Sequence, residues 1–309
     1  MKQVLVLLSS YNGEKYIDEQ LDSLFNQNDV AVHLIIRDDG SKDNTVNLIK
    51  NRKDKGEDIT LIEGENLGFA MSFMFLVEQA YKFVEKYEYF AFCDQDDVWL
   101  PQKLISAIML LEQNKMTNIP NLYWSNFTLV DQNLNPIIIK EKNEIPVMTK
   151  PTILVRYFML GCTMVFDGKM VEFIHKYQPK GKLTMHDLWL SQTAIFFGNV
   201  IYDNRSFLLY RQHGINAAGV DNSWKGRFKR LVKSFKTYER RHFREINAKN
   251  LLSTYENILT NEDYKLINDV ANYRNSIRKK IHLLLRKDIS MGSFVSDILI
   301  KVRIIIGLL

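Results

Sequence analysis

The fold is decided by the stretch Tyr89-Phe90-Ala91-Phe92-Cys93-Asp94-Gln95-Asp96-Asp97. Its first five residues form an apolar run with the length of a buried strand. Three carboxylates follow within four residues, and they repel one another unless a cation lies among them. Such oxygen ligands suit Mg²⁺ and Mn²⁺. The alternative interpretation is a solvated acidic turn in which Asp97 caps a helix that starts near Pro101.

Strand-like runs alternate with helical patterns before this stretch. The connections between them are short, and they contain Gly, Asn, Asp and Ser. This alternation predicts an α/β fold with a mostly parallel, Rossmann-like mixed sheet flanked by helices. The predicted strands lie at residues 3–8, 32–36, 59–63 and 89–93, and the predicted helices at residues 16–25, 45–51 and 69–87.

Three polar clusters follow three of these strands. They are Ser9-Ser10-Tyr11-Asn12-Gly13, Asp38-Asp39-Gly40-Ser41 and the acidic run at residues 94–97. Ligands of parallel α/β sheets bind at the carboxyl ends of the strands. The shared position of the clusters therefore indicates a binding site, although the second cluster alone would also suit an ordinary turn.

The middle of the chain adds two further candidate motifs. His186-Asp187 opens a predicted helix at residues 186–197, where Asp187 would be either a helix cap or a general base. Arg211-Gln212-His213 follows residues 200–202 and 207–210, which we expect to form a hairpin. His213 would be a metal ligand, a phosphate donor or a structural residue. Strands are also predicted at residues 123–127 and 162–166.

The net charge of +5 is unevenly distributed over the 309 residues. From residue 225 onward there are 19 Lys and Arg against 8 Asp and Glu. We therefore predict an α/β domain over residues 1–223 and a basic helical region over residues 224–309. Residues 225–244 have the pattern of a basic amphipathic helix, and residues 294–309 that of an interfacial helix. A solvated helical region is the alternative.

Several classes of protein are disfavoured by what the sequence contains. The two cysteines, Cys93 and Cys162, favour a reduced, cytosolic setting. We find no dinucleotide, P-loop, zinc-helix or nucleophile-elbow motif, and no run of the roughly 20 apolar residues that a membrane span requires. The basic region carries aromatic residues among its charges, so binding of nucleic acid is a third alternative. Nucleic acid is not the expected partner, because the acidic strand ends would repel phosphate unless a metal intervenes.

As a set, these motifs resemble the inverting nucleotide-sugar glycosyltransferases of family 2, which have the GT-A fold. The resemblance covers residues 4–216. Within the family, the sequence is most similar to bacterial rhamnosyltransferases of cell-wall or capsular polysaccharide synthesis. In those members His precedes the catalytic Asp, whereas other members more often have Glu there. The matching motifs are Ser10-Tyr11-Asn12-Gly13, Arg37-Asp38-Asp39-Gly40-Ser41, Asn66-Leu67-Gly68, Asp94-Gln95-Asp96-Asp97-Val98-Trp99, His186-Asp187 and Tyr210-Arg211-Gln212-His213.

The resemblance implies a role for each matching position. Asp187 would be the catalytic base. Asp94, Asp96 and His213 would hold Mn²⁺ or Mg²⁺, with Asp94 and Asp96 as the DxD motif. The acceptor would contact Trp99, His186 and Trp189, although a core position is an equal alternative for both tryptophans. The nucleotide-sugar site would comprise Ser9, Tyr11, Asn12, Asp39, Gly68, Asp94, Gln95, Asp96 and Arg211, with Asp39 bonded to the pyrimidine.

The implied reaction is a single displacement that moves L-rhamnose from dTDP-β-L-rhamnose to a glycan, commonly a lipid-linked one. We expect a cytoplasmic protein at the inner face of the bacterial plasma membrane, bound to the anionic surface through residues 225–244. Transfer of glucose, galactose or N-acetylglucosamine from a UDP-sugar is an alternative. A non-catalytic glycan- or membrane-binding module is a second alternative, which the retained acidic run and Asp187 disfavour.

Overall fold

The computed structural model describes residues 1–137, 148–212, 238–290 and 292–309. The chain forms two compact units, each assembled from separate segments. The first comprises Met1–Lys142, Met159–Lys176 and Met185–Gly214, and the second Asn143–Phe158, Tyr177–Thr184 and Ile215–Leu309. The boundary predicted between residues 223 and 224 lies outside the described residues.

The first unit is built on a mixed sheet. Within the described residues the sheet has eight strands. The strands are β1 (Lys2–Ser10), β2 (Val30–Asp38), β3 (Ile59–Glu63), β4 (Tyr89–Cys93), β5 (Val98–Trp99), β6 (Asn121–Val130), β7 (Val165–Asp167) and β8 (Asn199–Arg211). Their order is β3-β2-β1-β4-β7-β6-β8-β5. Strands β1 to β4 pair in parallel, as do β6 and β8, whereas β7 and β5 pair antiparallel with their neighbours.

Helices flank this sheet and also make up most of the second unit. Helices α5 and α8–α11 defined here belong to the second unit, and the others to the first. In chain order they are α1 (Ile17–Phe25), α2 (Thr45–Asp54), α3 (Phe69–Tyr81), α4 (Lys103–Asn114), α5 (Lys150–Val155), α6 (Gly168–Lys176), α7 (His186–Phe197), α8 (Tyr238–Tyr255), α9 (Asn261–Asn272), α10 (Ile277–Leu285) and α11 (Phe294–Ile306). The predicted α/β class with a helical C-terminal region is confirmed.

The core of the first unit follows directly from the apolar runs. Residues 4–8 of β1 are wholly buried, as a central parallel strand covered on both faces requires. Helix α1 places Ile17, Leu21 and Leu24 on one buried face. Each such side chain contributes about 1.5–3 kcal/mol on burial, so the sheet holds the three polar loops on a rigid base.

The hairpin predicted for residues 200–202 and 207–210 is wrong, because both runs belong to the single strand β8. The register of β8 against β6 shifts between Ser125 and Asn126, so an irregularity accommodates the polar residues where a turn was expected. The Asp203 carboxylate accepts hydrogen bonds from the backbone N–H and guanidinium of Arg205. These bonds satisfy the polar stretch inside an extended strand.

The second unit has a helical core of its own. Ala248, Leu251, Ile267, Val270 and Ile304 are among its buried side chains. Helix α8 is interrupted by a non-helical residue at His242. The amphipathic helix predicted for residues 225–244 lies largely outside the described residues. Among the helices that the structure describes, none combines the length and apolar character needed to cross a bilayer.

Candidate active site

The topology brings the three polar clusters to one edge of the sheet. Strands β2, β1 and β4 are consecutive neighbours in the sheet and run in parallel, so their carboxyl ends lie side by side. The polar clusters at residues 9–13, 38–41 and 94–97 lie at these strand ends and in the loops that follow them. The predicted grouping of these loops follows from the pairing of the strands.

Gln95 ties the loop after β1 to the acidic run. Its side-chain Oε1 accepts the N–H of Tyr11 at 2.8 Å, and its Nε2 donates to the carbonyl of Tyr11 at 3.0 Å. A Cβ at Gly13 would lie 2.3 Å from Oε1 of Gln95, so this pairing requires glycine there. Gln95 therefore positions the backbone of the loop.

The loop after β1 is also fastened to the loop after β2. Asn12 has a φ of +49°, a left-handed conformation that Asn tolerates. Its N–H donates to Oγ of Ser41 at 2.9 Å, and its Oδ1 accepts the N–H of Lys42 at 2.8 Å. The N–H of Gly13 donates to Oγ1 of Thr45 at 2.8 Å. Tyr11 projects from this braced loop and is 46% exposed.

The two aspartates at the end of β2 both accept hydrogen bonds from backbone N–H groups. Asp38 accepts hydrogen bonds from Oγ of Ser10 at 2.9 Å and from the N–H of Ser41 at 2.8 Å. Asp39 forms an ion pair with Arg37. Asp39 also accepts the N–H groups of residues 67 and 68 at 2.8 and 2.9 Å, which holds the loop entering α3.

Asp39 lies at the strand end expected of a base-binding residue, but only 2% of it is exposed. A bond to a pyrimidine would have to use a lone pair that remains after its contacts with Arg37 and the backbone. Ser9, predicted to line the same pocket, is partly buried, and its Oγ lies 2.6 Å from Oγ of Ser72. Gly68 opens α3 with a φ of +78°.

The acidic run divides into two environments. Asp94 and Asp96 are partly exposed, whereas Asp97 is 1% exposed. Oδ1 of Asp97 accepts the N–H of Arg211 at 3.0 Å, and Oδ2 has no nitrogen or hydroxyl donor among the described residues. Potential ligand atoms of Asp94, Asp97 and Cys162 lie within 4.8 Å of one another. The cluster thus joins Cys162 to the acidic run.

The helix cap predicted for Asp97 is wrong. Strand β5 follows Asp97 and carries the chain away in an extended conformation before α4 begins at Lys103. Gln102 occupies the cap position without a side-chain hydrogen bond. The carboxylate of Asp97 instead fixes the end of β8 through the N–H of Arg211.

Burial and mutual repulsion hold protons on this cluster. Burial, followed by the charges of Asp96 and Asp187, raises the pKa of Asp94 to about 7. The same causes, with Asp94 and Asp96 as the charged neighbours, raise the pKa of Asp97 well above its usual range. Burial also raises the pKa of the Cys162 thiol. A cation among these groups would relieve their repulsion.

Two buried cations lie behind the acidic run. Arg211 is 1% exposed, and its guanidinium donates to the carbonyls of Asp96 at 2.8 Å and Gln132 at 2.6 Å and pairs with Glu19. The prediction that Arg211 contacts the nucleotide sugar does not fit this burial. Lys103 is also fully buried, with Nζ 3.6 Å from the centroid of the Trp99 ring. Burial lowers the pKa of Lys103 to about 8.

Asp187 lies in the first turn of α7, close to the acidic run. Its Oδ2 accepts the N–H of Gly161 at 3.2 Å, and its Oδ1 accepts the N–H of Leu188 at 2.8 Å. It is 5% exposed, and its charge contributes to the raised pKa of Asp94. The structure therefore brings together Asp187 and Asp94, which are distant in sequence.

His186 lies in an aromatic box beside Asp187. Its ring stacks on Phe73 with centroids 3.9 Å apart and meets Phe69 and Phe92 edge-on. Burial lowers its pKa to about 4, so the imidazole is neutral at physiological pH. A Cβ at Gly161 would lie 2.7 Å from its Nε2. Close packing of this kind fixes the start of α7.

Three predicted site residues remain, namely Trp99, Trp189 and His213. Trp99 and Trp189 are buried to within 2% of complete burial, so neither presents a ring face to an acceptor. Both tryptophans are therefore core residues, which is the alternative given in the sequence analysis. His213 lies outside the described residues.

The sequence pattern gave no role to the turn Gly161–Thr163, which connects the two halves of the site. The N–H of Gly161 holds Asp187, while Cys162 lies against Asp97 and Asp94. Residues 162–166 read as one strand, although only Val165–Asp167 forms it. The glycine before Cys162 was the available signal of a close backbone approach.

The chain belongs to the glycosyl transferase family 2, whose family model matches residues 5–167. It is a glycosyltransferase. The dTDP-rhamnosyl transferase RfbG of Shigella flexneri is 30% identical over 236 residues, which cover 72% of this chain and 78% of that protein. An uncharacterized glycosyltransferase of Rickettsia typhi, RT0329, is 25% identical over 247 residues, which cover 74% of this chain and 73% of the relative.

Two solved structures share the fold. The structure of S. aureus TarS 1-349 in complex with UDP-GlcNAc gives a TM-score of 0.54 at 17% identity, covering 91% of this chain and 83% of that one. Mannosyltransferase PcManGT from Pyrobaculum calidifontis in complex with GDP-Man and Mn²⁺ gives 0.53 at 14% identity, covering 99% and 80%. These likenesses confirm the predicted GT-A-like arrangement.

Proposed function

We propose that this glycosyltransferase moves L-rhamnose from dTDP-β-L-rhamnose to a glycan acceptor with inversion at the anomeric carbon. The observation that carries the reaction is the position of Asp187, whose carboxylate is held at the start of α7 near enough to raise the pKa of Asp94. The choice of donor is supported by the similarity to RfbG, a dTDP-rhamnosyl transferase.

The nucleotide would bind over the ends of β1 and β2. Exposed Tyr11 and partly buried Ser9 would line the base pocket, and Asp39 would accept the imide N–H of the pyrimidine. Asn12, Gln95 and Gly68 would act chiefly through backbone geometry, since the side chains of Asn12 and Gln95 are used in fastening the loops.

Asp94 and Asp96 would hold a divalent cation, Mn²⁺ or Mg²⁺, together with the donor diphosphate and His213. The residues present fit such an ion. The partly exposed carboxylates of Asp94 and Asp96 repel one another, and Oδ2 of buried Asp97 lacks a nitrogen or hydroxyl donor among the described residues. The ion would offset the charge that develops on the leaving diphosphate. Cys162, whose thiol keeps its proton, fits the role of a packing partner better than that of a ligand.

Asp187 would act as the general base. One oxygen takes the proton of an acceptor hydroxyl, whose oxygen then forms a bond to the anomeric carbon. The bond from that carbon to the diphosphate breaks, and the nucleoside diphosphate leaves. Attack from the face opposite the leaving group converts the β-linked donor to an α-rhamnoside. The hydrogen bonds from Gly161 and Leu188 keep the carboxylate oriented for this step.

A panel of nucleotide sugars with Mn²⁺ or Mg²⁺, scored by released nucleoside diphosphate, tests the donor. Faster release from dTDP-rhamnose than from the UDP-linked sugars is expected, and the reverse would favour glucose, galactose or N-acetylglucosamine. Asp187→Asn should lower kcat by about 10²–10⁴-fold with little effect on donor KM. Asp54→Asn, at an exposed position at the end of α2, is the matched control. Wild-type turnover by Asp187→Asn would refute the base assignment.

The acceptor would be a lipid-linked glycan, and the enzyme would work in the cytoplasm at the inner face of the bacterial plasma membrane. The basic composition of residues 225–309, 19 Lys and Arg against 8 Asp and Glu, supports attraction to an anionic surface. Flotation with anionic liposomes tests this location. Protein that stays soluble in that assay would refute it.

A further inference from the structure

Helix α11 of the second unit exposes a broad apolar face. Its N-cap is Ser293, and it ends at Gly307, which has a left-handed φ of +77°. Seven large apolar side chains along it are between 44% and 80% exposed. Soluble chains seldom leave so many neighbouring apolar side chains in water without a binding role. The seven exposed side chains of α11 are Phe294, Val295, Ile298, Leu299, Val302, Ile305 and Ile306.

The geometry of the helix places these side chains together. At 3.6 residues per turn they span an arc of about 140°. Lys301 lies at one margin of the arc and Arg303 at the other. Ile300 and Ile304 are buried on the opposite side. The helix therefore packs through a narrow face and presents its wider apolar face outward.

Helix α10 adds a second exposed apolar row beside the first. Ile277, Ile281 and Leu285 recur at intervals of four residues and are 79%, 51% and 73% exposed. The two helices pack on one another, and Nζ of Lys280 donates to the carbonyl of Ile305 at 3.4 Å. We call the exposed apolar side chains of α10 and α11 the apolar C-terminal surface.

We propose that the apolar C-terminal surface docks on an anionic lipid bilayer, with α11 lying in the plane of the interface. Residues 277–309 contain seven Lys and Arg against two Asp and Glu. An apolar face bordered by cations is complementary to acyl chains beneath anionic headgroups. At about 1.5 Å per residue, the 13 residues of α11 extend for about 20 Å, which suits a helix lying along the surface.

The charges argue against a second copy of the chain as the occupant. A two-fold contact would place this surface against itself and bring two segments of net charge +5 face to face. The same cations would be neutralised at an anionic membrane. The proposal rests on the membrane location proposed above and deepens it by naming the surface that docks. It uses none of the residues assigned to the donor or the base, so the transferase assays test those assignments separately.

The full-length chain should float with vesicles of phosphatidylglycerol and phosphatidylcholine, and much less with vesicles of phosphatidylcholine alone. Ile298→Ser combined with Val302→Ser should lower the bound-to-free ratio about tenfold or more, since both side chains lose their apolar contribution. Met109→Ser with Met116→Ser, at positions 53% and 57% exposed in the first unit, is the matched control and should bind like wild type.

Thermal melting of each variant checks the fold. Lys287→Gln with Lys301→Gln removes two exposed charges and provides a second test, which should weaken binding to the phosphatidylglycerol vesicles alone. The proposal is overturned if wild type fails to bind these vesicles or binds both kinds equally. It is also overturned if the double serine variant binds like wild type. A wild-type dimer in light scattering that the serine variant abolishes would assign the surface to a second copy instead.

Discussion

Asp94 should destabilise the metal-free protein at neutral pH, and replacing it with Asn should remove that penalty. Burial and the charges of Asp96 and Asp187 raise its pKa from 3.8 to about 7. Unfolded Asp94 loses its proton near pH 3.8, whereas the folded residue keeps it to about pH 7. The folded state binds more protons in this window, so the free energy of unfolding falls as the pH rises through it.

The size of the effect follows from the shift in pKa. Three pKa units at about 1.4 kcal/mol each set an upper limit of about 4 kcal/mol above pH 7. The amide introduced by Asp94→Asn removes the charge, but it still gives up hydrogen bonds to water at a cost of about 1–3 kcal/mol. We therefore expect Asp94→Asn to raise the free energy of unfolding by about 2 kcal/mol. This gain corresponds to a rise in Tm of at least about 4 °C.

Thermal unfolding in the presence of EDTA measures this difference at about pH 8 and again at about pH 4, where it should nearly vanish. Asp54→Asn, an exposed aspartate at the end of α2, controls for a general effect of charge. Added Mn²⁺ should stabilise wild type and not Asp94→Asn. Equal melting of wild type and Asp94→Asn at about pH 8, or the same gain at both pH values, would refute the reasoning.

Two substitutions test how the site is supported. Gly161→Ala should lower activity and cost about 1–3 kcal/mol of stability, because its Cβ would lie 2.7 Å from Nε2 of His186. Melting beside Gly168→Ala, whose Cβ would meet nothing nearer than 3.8 Å, checks this, and equal losses would contradict it. Arg211→Met should lower stability in urea by about 2 kcal/mol, because two carbonyls lose buried donors. An unchanged midpoint would show that these hydrogen bonds contribute nothing.

The strands at the centre of the sheet could be predicted because the local sequence of each one is sufficient to indicate a buried strand. A continuous apolar run followed by polar residues marks β1, β2 and β4, and their parallel pairing places the three polar clusters together. The edge was harder to predict. Strand β5 has only two residues, and β8 contains a polar stretch whose composition is typical of a turn. Such segments depend on partners distant in sequence.

The same distinction explains which of the predicted site residues lie together in the structure. Asp94 and Asp187 stand at the ends of regular elements, so their neighbourhood follows from topology. The roles of Asp97 and Arg211 could not be read from sequence, because the direction of each side chain depends on how β5 meets β8. Gly161 acts through its backbone N–H and its lack of a Cβ, which no side-chain pattern records.

The two buried cations behind the acidic run make their described hydrogen bonds and ring contacts with groups other than its carboxyl groups. The guanidinium of Arg211 is directed to carbonyl oxygens and to Glu19, and the ammonium of Lys103 lies on the Trp99 ring. Within the described part of the chain, neither forms an ion pair with Asp94. Arg211 holds the loop from the buried side through the carbonyl of Asp96. Burial is the largest cause of the raised pKa of Asp94, and repulsion by Asp96 and Asp187 comes second. A divalent cation bound there with its diphosphate would relieve that repulsion.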